Sequence, residues 1–184
     1  MQSEELKYVK VSKKFDHKGM IVTLPKRNHL FGEESLIKQA MIDHGGYKRP
    51  SVSMYGTKSW QATQFVADWS YFDVLLEHYF IPEFGKCLLM VETKVTEKKC
   101  SEACQTAKMS SKCTCACGRT NHGGAVDRFG NLQIGMLVTN EEENLVMNYK
   151  WYDQDGFIED SEIIADLLVE NGGSLNPKLF EVNI

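Results

Sequence analysis

The sequence predicts an α+β fold: a mainly antiparallel sheet with two to three helices and one inserted, cysteine-rich loop lobe. Three observations carry this. Residues 131–139 and 144–152 alternate apolar and polar side chains on either side of the acidic loop 140–144, the pattern of a β-hairpin. Residues 33–44 and 160–171 place apolar groups at helical spacing, and each run meets a Gly-Gly stop. Between residues 96 and 124 both periodicities vanish and cysteines take their place.

In chain order, residues 6–11 and 19–24 read as short strands, the second closed by Pro25. The helix over 33–44 turns Leu36, Ile37, Ala40 and Met41 to one side and stops at Gly45-Gly46. A basic, turn-rich stretch, Tyr47-Lys48-Arg49-Pro50, follows. Residues 59–80 give the strongest helical signal, with Phe65, Trp69, Phe72, Leu76 and Tyr79 recurring at spacings of four and three. Ser59 is the candidate cap and Ser70 the candidate break into two helices. An aromatic stripe at this spacing is expected in a core rather than as a platform for stacked bases.

Pro82 and Gly85 then punctuate the chain, and 86–95 reads as a strand in which Cys87 is a small buried residue. The hairpin strands present Leu132, Ile134, Met136 and Val138, then Leu145, Met147, Tyr149 and Trp151. The helix over 160–171 gathers Ile163, Ile164, Leu167 and Leu168, and a short strand near 179–182 completes the set. No repeat, low-complexity tract or linker divides the chain, so residues 1–184 are expected as one domain with a knuckle inserted at 96–124.

The 184 residues are 42% hydrophobic and 25% charged, as in an ordinary globular protein able to bury a core of its own. No apolar run approaches the roughly 18 residues of a membrane span. The polar N-terminus has no apolar core of a secretory signal, so a cytoplasmic setting with reduced thiols is expected. Six cysteines in that setting favour metal or redox chemistry over a disulfide framework. Charge is uneven: residues 1–50 hold ten Lys/Arg against six Asp/Glu, residues 51–120 eight against seven, and residues 121–184 three against twelve. That split leaves room for a basic face towards phosphate and an acidic C-terminal third towards a basic protein partner, or for charge that only serves solubility.

Five of the six cysteines fall within eighteen positions: Cys100, Cys104, Cys113, Cys115 and Cys117, with His122 five residues beyond the last. Thiolates suit a soft ion, and zinc binds four such groups tetrahedrally. Alternate cysteines on an extended segment point to one side, so Cys113, Cys115 and Cys117 converge if the chain curls, as Gly118 permits. Cys100 is the expected fourth ligand, ahead of Cys104 and His122. Six candidates for four places leave open two spectators or a binuclear site. An iron–sulfur cluster takes the same four thiolates. The lobe has few large apolar groups, so the ion would order it as a zinc-knuckle. Lys98, Lys99, Lys108, Lys112 and Arg119 stud this lobe and would present charge to a phosphate backbone, or merely keep an exposed loop soluble.

The run Cys113-x-Cys115-x-Cys117-Gly118-x-x-Asn121-His122-Gly123 resembles a cysteine/histidine cluster in small uncharacterised proteins of phages and other mobile elements. The resemblance covers about a dozen residues and implies a metal-bound cluster and a phage or mobile-element setting. Together with the lack of a catalytic motif, it leads to a non-enzymatic, zinc-stabilised interaction protein. Such a protein would engage a nucleic acid or a nucleic-acid-handling complex, for example as an inhibitor of a host defence nuclease such as a CRISPR effector. Two other readings stand beside it. The Asn28-His29 and Asn121-His122 pairs suggest a metal-dependent nuclease with a structural zinc site. The thiolates suggest an iron–sulfur redox sensor. Asp153-x-Asp155-Gly156 fails the register of a calcium loop and reads as a turn. Asp68, Asp73, Glu77 and His78 are read as the solvated face of a helix, with a carboxylate site as the alternative. Phosphate-cradling glycine loops and the Gly-x-Ser-x-Gly nucleophile pattern are absent.

Overall fold

The computed structural model describes residues 7–25, 33–55, 64–96, 101, 103, 107–111 and 130–154. Over these residues the expected α+β class holds. Seven strands form one sheet: β1 (Val9–Lys13), β2 (Gly19–Thr23), β3 (Val52–Tyr55), β4 (Gln64–Asp68), β5 (Lys86–Lys94), β6 (Gly130–Asn140) and β7 (Leu145–Asp153). Their order is β3-β4-β2-β1-β5-β7-β6. Every pairing is antiparallel except β1 with β5, where Val9 faces Cys87 and Lys13 faces Val91. Helix α1 (Glu33–Gly45) lies between β2 and β3 in the chain. A second helical layer runs from a 3-10 turn (Trp69–Tyr71) through α2 (Phe72–Leu75) and a π turn (Leu76–Phe80) to α3 (Ile81–Phe84).

The largest correction concerns residues 59–80, read from the sequence as helix. Residues 64–68 are a strand, and the helical layer begins at Trp69. The cap is Asp68 rather than Ser59: its carboxylate accepts from the Ser70 amide at 2.9 Å. Strand β4 points Phe65 and Ala67 into the core that α2 and the π turn fill with Phe72, Leu75, Leu76 and Tyr79. A strand that runs straight into a helix over one core therefore mimics a longer helical stripe. The chain leaves this layer at Gly85, whose φ of 76° suits a residue without Cβ and whose amide donates to the Ile81 carbonyl at 2.8 Å. The other described elements match their predicted type, with β1 displaced to Val9–Lys13 and β3 an addition within a stretch read only as turn-rich. The expected elements at 160–171 and 179–182 lie outside the described residues.

The main core is sandwiched between the helical layer and one face of the sheet. Val9, Val11, Met20, Val22, Phe65, Ala67, Cys87, Leu89, Val91 and Tyr152 meet Ile37, Met41, Trp69, Phe72, Phe80 and Ile81. Each large side chain taken fully out of water contributes about 1.5–3 kcal/mol. A smaller cluster sits on the opposite face at β5 and β7: Tyr8, Leu88, Met147, Tyr149 and Trp151, with the Tyr8 and Trp151 rings edge to face at 5.2 Å. Residues 146–153 of β7 are consequently buried on both faces. The β6–β7 hairpin turns through Asn144 at φ 54°, and the Asn140 side chain accepts from the Glu143 amide at 3.1 Å.

Candidate metal centre

The candidate ligands Cys100, Cys104, Cys113, Cys115, Cys117 and His122 lie outside the described residues, as do Lys98, Lys99, Lys112 and Arg119. Lys108 is described and is exposed. What the structure does define is how the centre of the lobe is attached to the body. The chain leaves β5 at Lys94 and returns as β6 at Gly130, and between them residues 107–111 are docked on the helical layer.

That attachment is built from three parts. Residues 108–111 form a tight turn closed by the Ser111 amide donating to the Lys108 carbonyl at 3.0 Å. The two central amides of that turn donate to one carboxylate: Met109 N–H to Asp73 Oδ1 at 3.0 Å and Ser110 N–H to Asp73 Oδ2 at 3.1 Å. The Met109 side chain, 2% exposed, enters the main core. Hydrogen bonds to a charged group contribute about 1.5–3 kcal/mol each, so this clasp is as large a local term as the burial of Met109. Asp73 stands in the first turn of α2, where a carboxylate also complements the helix dipole.

The four polar residues read as a helix face thus have separate tasks. Asp68 caps, Asp73 holds the turn, and Glu77 lies 3.8 Å from His78 Nε2. The His78 ring stacks on His44 of α1 with centroids 3.8 Å apart and planes 7° off parallel. Parallel stacked imidazoles direct their nitrogen lone pairs side by side rather than at a common point. Among the described residues no three His, Cys, Asp or Glu side chains converge as a metal site. Asp153, the start of the rejected calcium-loop pattern, ends β7 with its carboxylate 3.9 Å from Lys86 Nζ.

Cys87 is free and fully enclosed, and burial pushes its thiol far above the ordinary range. It belongs to the core and offers no thiolate to an ion. Beside it on the same face of the sheet, polar residues are also enclosed: Thr93, Asn148 and Lys150 towards the hairpin end, and Lys13 on β1. The Lys13 ammonium donates to the Lys14 and His17 carbonyls of the β1–β2 turn. Among the described residues the Thr93 hydroxyl has no hydrogen-bond partner. Glu92, on the other face, links the β1–β2 turn to β6 by accepting from the Phe15 amide at 3.3 Å and the Thr139 hydroxyl at 2.9 Å.

No family model, curated protein or solved structure matches the chain. The site therefore rests on its own chemistry. Sequence reasoning missed Asp73, whose spacing matched a solvated helix face. The available signal was Met109, the one large apolar side chain in residues 96–124.

Proposed function

We propose that this chain is a non-enzymatic interaction protein. Its lobe at 96–124 is ordered by one zinc ion, and it engages a nucleic acid or a complex that handles nucleic acid. The observation that carries the reading is the density of thiols, five within eighteen positions of a segment with one large apolar residue. Such a segment cannot order itself by burial, and a zinc–thiolate shell supplies the missing free energy. Cys113, Cys115 and Cys117 with Cys100 would hold the ion, with Cys104 and His122 as the competing donors. The clasp on Met109 and Ser110 supports the reading, because it fixes the lobe between its two groups of cysteines. Cys104 lies five residues before Met109, and Cys113 four after it.

The charge split supports a nucleic-acid-handling partner. The lobe carries Lys98, Lys99, Lys108, Lys112 and Arg119, suited to phosphate. The acidic last third suits a basic protein channel, and the hairpin tip presents Glu141, Glu142 and Glu143 in succession, all exposed. With the resemblance of the 113–123 cluster to phage and mobile-element proteins, the reading extends to an inhibitor of a host defence nuclease, such as a CRISPR effector, acting in the host cytoplasm. No described helix is long and apolar enough to cross a membrane.

Elemental analysis of the purified chain tests the metal first: one zinc per chain is expected. A visible band near 400 nm with iron would replace that reading by an iron–sulfur sensor. Binding of labelled duplex that weakens steeply with salt supports direct nucleic-acid contact. Absence of a shift at low salt restricts the partner to protein, sought by affinity capture with purified nuclease complexes. Plasmid cut in the presence of magnesium or manganese would overturn the non-enzymatic reading in favour of a nuclease.

A further inference from the structure

We infer that the end of α1 and the adjoining helical layer form a binding surface for single-stranded nucleic acid, with His44 as its stacking ring and Lys48 and Arg49 as its phosphate contacts. This inference rests on the nucleic-acid part of the function proposed above and not on its metal. Two aromatic pairs bridge the end of α1 to the helical layer. His44 stacks on His78 with centroids 3.8 Å apart and planes 7° off parallel, and Tyr47 meets Tyr71 edge to face at 4.4 Å. One face of the His44 ring is thus covered, yet the residue is exposed, so the other face can take a further flat ring. His78 belongs to the π turn, a helical irregularity that is frequent at functional sites.

The tyrosine pair is half-buried and held in place. The Tyr47 hydroxyl donates to the Ser70 carbonyl at 3.2 Å, and the Tyr47 amide donates to the Met41 carbonyl at 3.3 Å. The Tyr47 ring lies so close over Gly45 that a Cβ there would come within 2.4 Å of it. Lys48 and Arg49 follow directly; both are exposed, and among the described residues neither side chain has an ion-pair partner. The carboxylates beside the histidine pair are already engaged: Glu77 lies 3.8 Å from His78 Nε2, and Asp43 accepts from the Gln39 amide at 2.7 Å. An open flat ring next to two cations fits a base and its phosphates, because any base can stack and the cations follow the backbone. Bases in a duplex are already stacked on their neighbours, so such a ring reaches only an unpaired strand.

The experiment follows the fluorescence anisotropy of a labelled oligothymidylate as the full chain is added, over a range of salt. His44→Ala is expected to weaken binding about tenfold, the loss of one stacked base, with the salt dependence unchanged. Tyr47→Ala, and Gly45→Ala, which displaces the Tyr47 ring without removing it, are expected to weaken binding in the same direction. Lys48→Ala and Arg49→Ala are each expected to lower the slope of log affinity against log salt by about 0.7. Circular dichroism and urea midpoints establish that each variant is folded. If Tyr47→Ala does not fold, His44→Ala, a change at an exposed ring, decides. Equal affinity and equal salt slope in the wild type and the folded variants overturn the surface and leave any nucleic-acid contact to the lobe at 96–124. Polyglutamate that competes as well as the oligonucleotide overturns it in favour of an acidic peptide. A wild-type chain that binds duplex but no oligothymidylate at low salt overturns this surface alone. A chain that binds neither overturns the nucleic-acid reading with it.

Discussion

The sheet consists of two antiparallel halves of different character. The first, residues 7–84, holds β1, β2, β4 and β3 with both helical layers and buries one face of its strands. In β2, Met20 and Val22 are inside while Ile21 between them is 47% exposed. The second half, β5, β7 and β6, encloses β7 on both faces, with Tyr152 in the main core and Trp151 in the opposite cluster. The two halves therefore differ in their tolerance of substitution. In β1, β2 and β4 the alternate residues are half-buried or exposed, whereas residues 146–153 of β7 are all buried.

Trp151→Ala tests this contrast most severely. Removing a large enclosed aromatic is expected to cost about 3–5 kcal/mol, read as a lower urea midpoint with an unchanged slope. A loss no greater than that at Ile21 would show that the outer face of β7 is not a core. Next in size is an alkaline effect in the second half. Burial raises the Cys87 pKa above its ordinary 9.0, so on raising the pH the unfolded chain releases this proton first. The folded state then binds more protons, and stability present below pH 9 is expected to fall above it by up to about 1.4 kcal/mol per pH unit. Cys87→Ala should flatten that part of the stability–pH curve. It should also leave the number of thiols that react under native conditions unchanged.

Thr93→Val, also in the second half, should have the opposite sign. It replaces an enclosed hydroxyl that has no partner among the described residues with a methyl group of similar shape, so a gain of up to about 1 kcal/mol is expected in urea unfolding. A loss would reveal a hydrogen bond made by that hydroxyl. The smallest effect belongs to the first half: Ile21→Ser on its open face should change stability by no more than about 0.5 kcal/mol. A larger loss at Ile21 would mean that this face is covered in solution.

The two halves also differed in how plainly the sequence declared them. The β6–β7 hairpin was legible because its alternation runs for a full strand on each side of a polar turn, and β5 because an apolar run sits between Gly85 and the cysteines. Within the first half, α1 was clear from its spacing and its glycine stop. Strand β4 was hidden because Phe65 and Trp69 happen to be four residues apart across a strand–helix junction. Strand β3 was hidden because Val52–Tyr55 is too short to show a period. At the candidate site, composition announced the thiols, but the clasp joins residues 36 and 37 positions apart, and no local pattern encodes such a contact.

Among the described strands, the parallel contact of β1 with β5 is the one pairing that crosses between the halves, and it spans five residue pairs against nine for β5 with β7. Its partners are about eighty residues apart in the chain, so it closes late on a folding route that favours nearby contacts first. Each half, by contrast, can zip its own strands. The two groups of strands are thus joined by a short parallel ladder and by a shared core, in which Cys87, Leu89 and Tyr152 of the second pack with Phe72, Phe80 and Ile81 of the first. Cutting it at Gly85, where the helical layer ends and β5 begins, offers a natural place to divide it into fragments that reassemble by complementation.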